Sequence, residues 1–312
     1  MIYFIKKALS FVLLSLILSF VLFCLIYYTN GSAVYANKSI LLSKSFIDNE
    51  LKRLGLNEGL FYQYFQFLKG LISLDLKSLT SDKNIFLLIK ERLFNSIVLI
   101  FGGGFLMLVF GILLGLISAL MNKSLIDKSI NFVLMLCFCL PSFYMGILLI
   151  LTFSIWFELF PSSLSNDIQN PTFLNYLHHL ILPLSALILS GLGILVSFCK
   201  NTFIQTLNKP YINAAFLMGF KRRRVYFFII YDAFSSIFGY FSANFIGLLG
   251  SSYIIEKVFS YSGIGSLFID SLIFKDYPLS LVLIIVSFFI VSFFNFLALF
   301  LEKIIFAKKE AL

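Results

Sequence analysis

Six long apolar segments constrain the fold of this chain more than any other feature. Only the fifth contains a charged residue, Asp232, and that residue lies close to one end. An apolar segment of about 20 residues matches the thickness of a bilayer core, and backbone exposed to lipid must satisfy its own hydrogen bonds. Each segment is therefore predicted to be a transmembrane helix. The segments are approximately residues 8–28, 95–121, 129–157, 180–199, 225–250 and 279–301.

The composition excludes a soluble fold. Hydrophobic residues make up 60% of the chain and charged residues 12%, whereas a soluble domain has about 25% charged residues. The same scarcity of charge excludes disorder. The first segment has 21 residues, more than the roughly 7–15 of a secretion signal, so an uncleaved helix is predicted, with cleavage near Ala36 as the alternative. The chain is thus predicted to be an all-α integral membrane protein.

The positions of lysine and arginine predict the orientation, because short cytoplasmic loops carry an excess of these residues. With the N-terminus in the cytoplasm, thirteen of the 24 basic residues fall inside and two fall in short outside loops. Both termini are therefore predicted to be cytoplasmic. The net charge of +9 then forms a fringe along the membrane, which excludes a basic face for nucleic acid.

The loops divide the chain into three predicted regions. Residues 1–29 form an N-terminal transmembrane helix, residues 30–94 an extracytoplasmic cap, and residues 95–312 a core with five transmembrane helices. The charged stretch at the end of the cap, residues 85–94, is predicted to run along the outer interface. Residues 251–278 are too polar and too rich in glycine to span, so we expect partly non-helical backbone covered by protein.

Prolines and isolated polar residues mark local features of the segments. Pro141 is expected to kink the third segment. Asn244 and Asn295 are expected to hydrogen-bond between helices. Asp232, near the inner interface, is expected to pair with the basic run at residues 222–224.

Motifs for catalysis are absent from the sequence. It contains no glycine-rich phosphate loop ending in Lys-Ser or Lys-Thr, and its four cysteines lie in apolar segments without metal-type spacing. No nucleophile–base set or carboxylate pair lies within one segment. His178 and His179 diverge on a helix and do not form a predicted metal site; packing at the outer interface and a place on a substrate path both remain open. We predict that the chain is not an enzyme.

The cytoplasmic loop between the fourth and fifth segments contains a short apolar helix. Asn208 is a predicted N-cap, Pro210 lies in the first turn, and Gly219 is a predicted stop. No charge lies between Lys209 and Lys221, and so short and apolar a helix is unstable alone in water. It is expected to pack on the protein or in the lipid interface, or to dock into a groove of a soluble partner. One face is formed by Tyr211, Ala214, Ala215 and Met218.

The same loop resembles a known family. The motif Asn-Ala-Ala at residues 213–215, followed by Gly219 and Ile229, is similar to the EAA loop of binding-protein-dependent ABC importer permeases. Residues 209–212 resemble the dipeptide, oligopeptide and nickel subfamily. Asparagine replaces the family's glutamate, and Tyr-Asp at residues 231–232 replaces its Leu-Pro.

The resemblance implies that residues 200–224 form the loop that couples the permease to a cytoplasmic ATPase. The basic run that follows the helix is expected to attract an acidic partner or lipid headgroups. The implied coupling residues are Tyr211, Asn213, Ala214, Ala215, Met218, Gly219, Arg222, Arg223 and Arg224.

A second block carries the same resemblance. Residues 256–259, 262–265 and 276–278 resemble the family signatures E-x-V-F, P-G-x-G and D-Y-P, with serine in place of the second signature's proline. Two glycines in this block suit a sharp turn, and its two carboxylates are either structural partners or contacts for cargo or the delivery protein. Residues 140–143 resemble the S-L-P-S-F-W element, and residues 111–115 a G-x-x-x-G element. The implied outer gate, or scoop, contains Glu256, Phe259, Gly263, Gly265, Asp276, Tyr277 and Pro278.

The resemblance implies a type I ABC importer permease with six transmembrane helices in the bacterial inner membrane. It implies a second homologous permease, usually different in this subfamily, two ATPase subunits or domains, and an extracytoplasmic binding protein. ATP and Mg²⁺ would bind the partner ATPases, and this chain would hold no cofactor. The cargo would be a peptide, nickel or a nickel chelate, moved by alternating access. The alternative is a secondary transporter or channel subunit driven by an ion gradient, which usually carries mid-membrane ionisable groups that this chain nearly lacks.

Overall fold

A computed structural model describes residues 2–29, 49, 51–167 and 171–310. The predicted helical class is confirmed: within these residues, the structure consists of α-helices, one short π-helix and an isolated antiparallel bridge between Lys77 and Asn84. The π-helix, Ile150–Trp156, continues α5. The α-helices are α1 (Ile2–Tyr28), α2 (Leu60–Ser73), α3 (Ile85–Leu120), α4 (Leu125–Cys139), α5 (Ser142–Leu149), α6 (Phe173–Leu207), α7 (Pro210–Leu217), α8 (Arg222–Ala243), α9 (Phe245–Val258), α10 (Ile264–Ile273) and α11 (Tyr277–Glu310).

The chain forms two compact units. The first contains residues 1–94 and 262–290, and the second contains residues 95–261 and 291–312. Helices α3 and α11 each contribute residues to both units. The predicted regions 1–29, 30–94 and 95–312 remain predictions.

Several helices are long and apolar enough to cross a membrane. Among the described residues these are α3, α6, α8 and the first 22 residues of α11, and the bent pair of α4 with α5 and its π-helix adds a fifth candidate. The described side chains of α1 contribute a shorter apolar stretch, Leu13–Tyr28.

The third predicted segment bends far more sharply than a proline kink. The helix axis changes direction by 104° between the two halves of this segment. Leu140, which precedes Pro141, leaves the helical conformation, with φ −92° and ψ 128°. A proline ring clashes with the backbone of a preceding residue in the α conformation, so the chain turns at this point and α5 starts in a new direction.

The second spanning helix begins ten residues earlier than predicted. Residues 85–94, expected to run along the outer interface, are instead the first turns of α3. The Asn84 side chain accepts hydrogen bonds from the N–H groups of Phe86 (2.9 Å) and Leu87 (3.4 Å). An asparagine cap of this kind satisfies free backbone donors and starts the helix there.

Glycines bring α6 close to its neighbours. A Cβ atom on Gly111 would lie 2.7 Å from Cδ2 of Leu195, and one on Gly115 would lie 2.5 Å from Cβ of Cys199. A Cβ atom on Gly193 would lie 2.8 Å from a carbonyl oxygen of α4. Small residues let membrane helices approach closely enough for backbone and side-chain contact. The two glycines of the G-x-x-x-G element therefore lie where α3 contacts α6.

A buried carboxylate joins α3, α4 and α6 near the turn between α3 and α4. Asp127 accepts hydrogen bonds from Lys200 Nζ (2.6 Å), the Asn131 amide (2.7 Å) and the Lys123 N–H (2.9 Å), and also from the Ser118 hydroxyl. A buried charge is tolerated only with such partners. This cluster therefore fixes the three helices against one another.

The fifth predicted segment is two helices instead of one. Asn244 interrupts it with φ −93° and ψ 3°, between α8 and α9. The Asn244 amide donates to the carbonyl of Tyr240, 2.8 Å away in its own helix, instead of to another helix as predicted. Asparagine side chains compete for backbone groups in this way, which favours a helix end at this position.

The backbone over residues 251–278 is only partly non-helical, as expected, and the non-helical part is limited to residues 259–263 and 274–276. The rest of the segment consists of the end of α9, all of α10 and the start of α11. Serine hydroxyls inside it donate to carbonyls of their own helices: Ser252 to Leu249 (2.7 Å), and Ser266 to Gly263 (2.9 Å). Because these polar side chains satisfy themselves locally, they do not prevent a buried helix.

Candidate coupling and transport sites

The predicted cytoplasmic helix is present as α7. Lys209 is its N-cap instead of Asn208, and Pro210 occupies the first turn, where a missing N–H costs nothing. Gly219 follows the helix with φ +75°, a left-handed conformation that favours glycine. The predicted stop is confirmed.

Ile212 anchors α7 on the protein, and several of its other apolar side chains face outward. Ile212 is fully buried (0% exposed), whereas Leu217 and Met218 are 89% and 75% exposed. Tyr211 is half-exposed, and the side chain of Asn213 is exposed. The predicted alanine pair, Ala214 and Ala215, is only partly buried. Among the described residues, the helix therefore presents an uncovered apolar surface.

Asp232 fastens the start of α7 to α8. Its carboxylate pairs with Lys209 Nζ, so the expected pairing with the run at residues 222–224 is wrong. The hydroxyl of Tyr211 also donates to this carboxylate. Burial raises the pKa of Tyr211 to about 12, and the hydrogen bond to Asp232 acts in the same direction. Lys209 and Asp232 can pair because α7, which Lys209 caps, packs against α8, which contains Asp232.

Three exposed arginines begin α8 immediately after α7. Arg222, Arg223 and Arg224 occupy its first turn, where the helix dipole favours negative charge. Their positions therefore oppose the stability of α8. The guanidinium of Arg224 lies 5.9 Å from the ring centroid of Phe220. The second compact unit thus places this basic turn directly beside the apolar helix.

Two of the predicted outer residues are buried in the second unit. Glu256 is fully buried and accepts a hydrogen bond from the Ser96 hydroxyl of α3 (2.6 Å). Phe259 is also buried, and its carbonyl accepts from the N–H of Leu164 (3.0 Å). A Cβ on Gly146 would lie 3.1 Å from the Phe259 ring. The geometry favours the structural role for Glu256.

The remaining outer residues lie in the first unit. Asp276 is the N-cap of α11, where its Oδ1 accepts from the N–H of Leu279 (3.3 Å). Its Oδ2 accepts from the hydroxyls of Ser78 (2.6 Å) and Thr80 (2.9 Å) and from the N–H of Thr80 (3.1 Å). Tyr277 and Pro278 follow in the first turn. The buried carboxylate therefore pins a distant loop to the start of α11.

Only one of the two glycines of this segment lies in its turn. Gly263 is extended, with φ −117° and ψ 178°, and Gly265 is a buried residue of α10. The left-handed residues nearby are Ser260 (φ 47°) and Lys275 (φ 55°). The chain therefore bends at Gly263 without a left-handed glycine, and the expected use of Gly265 in the turn is wrong because Gly265 lies inside α10.

We expect Asp276→Ala to lower the free energy of unfolding by about 3 kcal/mol, because three donors and a helix end lose a charged acceptor. The thermal midpoint of the purified transporter measures this loss. Asp75→Ala, which removes an exposed carboxylate of the same loop, is the matched control and should change little. Equal midpoints for the two variants would contradict the structural role.

A groove in the second unit was missed by sequence reasoning. It has a volume of about 220 Å³ and lies among α3, α6, α8 and α9. Its polar lining is uncharged and includes Ser190, Tyr240, Asn244 and Ser251. Residues 240, 244, 247 and 251 follow helical spacing and line it together. The spacing of these four residues was the signal in the sequence that could have indicated the groove, but the surrounding apolar residues obscured it.

The two histidines bind backbone on the stretch that precedes α6. A ring nitrogen of His178 lies 2.9 Å from the carbonyl oxygen of Leu159, and one of His179 lies 2.9 Å from that of Ser163. These contacts favour the packing role. Within the described part of the chain, no cluster of three or more His, Cys, Asp or Glu side chains could hold a metal ion.

Comparisons with known proteins agree on one family. A sequence profile described as "Binding-protein-dependent transport system inner membrane component" matches residues 111–310. The chain is 28% identical over 269 residues to the oligopeptide transport system permease protein AppB of Bacillus subtilis (strain 168), covering 85% of each chain. It is 28% identical over 253 residues to the di/tripeptide transport system permease protein DppB of Pseudomonas aeruginosa (strain UCBPP-PA14), covering 73% of this chain and 74% of the relative.

A solved structure shares the fold. A chain of the inward-facing MetNI methionine ABC transporter superposes with a TM-score of 0.58 and 13% sequence identity. The match covers 70% of this chain and 97% of that one.

Proposed function

Because the chain belongs to the family of inner membrane components of binding-protein-dependent transport systems, we propose that it moves peptides into the cytoplasm. It is the permease component of an ABC importer of the peptide subfamily and not itself an enzyme. Partner ATPases that bind ATP and Mg²⁺ supply the energy for transport. An extracytoplasmic binding protein delivers the peptide, and the permease alternates its access between the two sides.

The proposed topology has six spans and two cytoplasmic termini in the bacterial inner membrane. The spans are α1, α3, the bent pair α4–α5, α6, α8 with α9, and α11. The excess of lysine and arginine in the loops assigned to the inside supports this orientation. A second permease, different from this one, completes the pathway, as the resemblance to the peptide subfamily suggests.

The observation that carries the proposal is the exposed apolar face of α7. Leu217 is the last residue of an eight-residue helix and Met218 follows it, while Ile212 is the one fully buried side chain of this helix. An apolar helix of this length is stable in water only against a partner. We assign that partner as the ATPase, with the helix seated in a groove and the arginines of residues 222–224 beside an acidic rim.

The groove lined by Tyr240, Asn244 and Ser251 is the proposed surface along which cargo passes. Its polar groups are hydroxyls and an amide, without charge. Such groups suit the backbone of peptides with different side chains, because they recognise no particular charge. The relatives AppB and DppB bear oligopeptide and di/tripeptide transport names, which supports peptide over nickel as the cargo.

The test is ATP dependence in proteoliposomes that contain this permease, its partner permease, the ATPases and the binding protein. Uptake of a labelled peptide should stop when the phosphate-binding lysine of each ATPase is replaced, because that lysine is required for nucleotide binding. Ionophores that dissipate ion gradients should leave uptake unchanged. Uptake that survives the lysine replacement and collapses with the ionophores would instead establish the gradient-driven alternative.

A further inference from the structure

Helix α2 carries an apolar stripe that the described residues of the first compact unit leave exposed. Phe61, Phe65 and Ile72 are 78%, 66% and 84% exposed. They lie at positions i, i+4 and i+11, which share one face of a helix. The opposite face holds the buried residues Gln63 and Phe67. Burial of the stripe in an apolar environment would therefore be favourable.

The contacts of α2 place it beside the middle of α1. The Tyr64 hydroxyl lies 2.9 Å from the Ser19 hydroxyl and donates to the carbonyl of Leu16 (3.2 Å). The centroid of the Phe20 ring lies 6.3 Å from that of Phe61 and 5.0 Å from that of Tyr64. The first helix extends eight residues past Phe20 to Tyr28, which corresponds to about 12 Å along its axis.

This depth falls within a bilayer if α1 spans it. A hydrocarbon core is about 30 Å thick, which corresponds to about 20 helical residues. A contact about 12 Å before the outer end of the span therefore lies below the headgroups. The exposed face of α1, which includes Leu14, Val21 and Leu25, then continues across the stacked rings of Phe20 and Phe61 onto the stripe of α2.

We propose that α2 lies in the outer leaflet, with Phe61, Phe65 and Ile72 in the acyl chains of phospholipids. The inference rests on the proposed topology, in which α1 is a span and Tyr28 is its outer end. Gln66 and Lys69 are exposed beside the stripe. A lysine with a long apolar stem in this position extends its ammonium group towards phosphate headgroups. Part of the predicted extracytoplasmic cap is thereby a membrane anchor.

The chain's single tryptophan allows a direct test. In a Trp156→Phe background, Phe65→Trp places the only tryptophan of the permease on the stripe. The matched control is Asn57→Trp, on an exposed turn before α2. Each is placed in the complete transporter, with tryptophan-free partner subunits, in nanodiscs of phosphatidylcholine or of its acyl-brominated form.

The Phe65→Trp reporter should lose most of its emission in brominated lipid and resist acrylamide. The Asn57→Trp reporter should show the reverse. Quenching of the Phe65→Trp reporter by acrylamide alone, or protection from both quenchers by a protein partner, would overturn the inference. Ile72→Trp is a second reporter if Phe65→Trp does not fold. ATP-driven uptake, measured separately, distinguishes a wrong lipid assignment from a wrong transport function.

Discussion

Met218→Asp should abolish ATP-driven uptake while the protein still inserts and folds. The side chain of Met218 is 75% exposed at the end of α7, so the aspartate is solvated when the permease is alone. In the proposed complex, the same carboxylate would be buried in an apolar groove without a partner, which is strongly unfavourable. A central interface residue contributes about 2 kcal/mol or more, so we expect roughly 30-fold weaker binding of the ATPase.

Co-purification of the ATPase with the tagged permease measures this loss, and peptide uptake measures its consequence. Leu125→Asp is the matched control, because it introduces the same charge at an apolar residue that is 81% exposed at the start of α4, another position assigned to the inside. It should retain the ATPase. If Met218→Asp and Leu125→Asp co-purify equal amounts of ATPase, α7 is not the coupling helix.

Met218 is a sharper position for this test than two of its neighbours. Gly219 has φ +75°, so any side chain there strains the backbone as well as changing the surface. Ala215 is partly covered by its own chain, so an aspartate there disturbs folding and docking together. Because Met218 is exposed and helix-terminal, its replacement isolates the contact with the partner.

Lys200→Met should strongly lower the free energy of unfolding of the permease. The variant leaves the Asp127 carboxylate buried without its cation. Removing one partner of a buried ion pair lowers the free energy of unfolding by about 3–5 kcal/mol. The remaining hydrogen bonds from Ser118, Asn131 and Lys123 place the expected loss near the lower end, about 3 kcal/mol.

The thermal midpoint of the purified transporter measures this effect, and two further variants interpret it. Adding Asp127→Asn to Lys200→Met removes the orphaned charge and should recover most of the loss. Lys209→Met breaks a second Lys–Asp pair whose lysine side chain is 44% exposed, and exposed pairs contribute about 1 kcal/mol or less. Equal losses for Lys200→Met and Lys209→Met would show that burial of Asp127 does not control its contribution.

Local patterns predicted α7 well because its determinants lie within a dozen residues. Proline in the first turn, a glycine stop and the absence of charge are properties of the segment itself. The exposed face was predicted less well. Tyr211 and Met218 are exposed as predicted, but the alanine pair is half-buried, and Leu217, which lies outside the predicted face, is 89% exposed. Packing of Ile212 on the protein sets the helix rotation, and helical spacing alone does not contain that information.

The outer carboxylates illustrate the opposite case. The serine that binds Glu256 lies 160 residues away in the chain, and the serine that binds Asp276 lies 198 residues away. A motif identifies such a carboxylate but not its partner. The cap of α11 by Asp276 was accessible from the Asp-Tyr-Pro sequence, whereas the fastening of the loop around Ser78 was not.

The sequence by itself determined that this protein is helical, that it belongs in a membrane, and that an uncharged helix lies among basic residues. These properties follow from segment length, hydrophobicity and local charge, which act before the chain folds. Only the tertiary structure decided the 104° bend after α4, the break at Asn244, and the pairing of Asp232 with Lys209. Pro141 and Asn244 permit the bend and the break locally, but the local sequence does not fix the angle of either. The pairing of Asp232 with Lys209 depends on which distant surfaces meet, because a side chain's partner is set by packing and its chemistry only limits the choice.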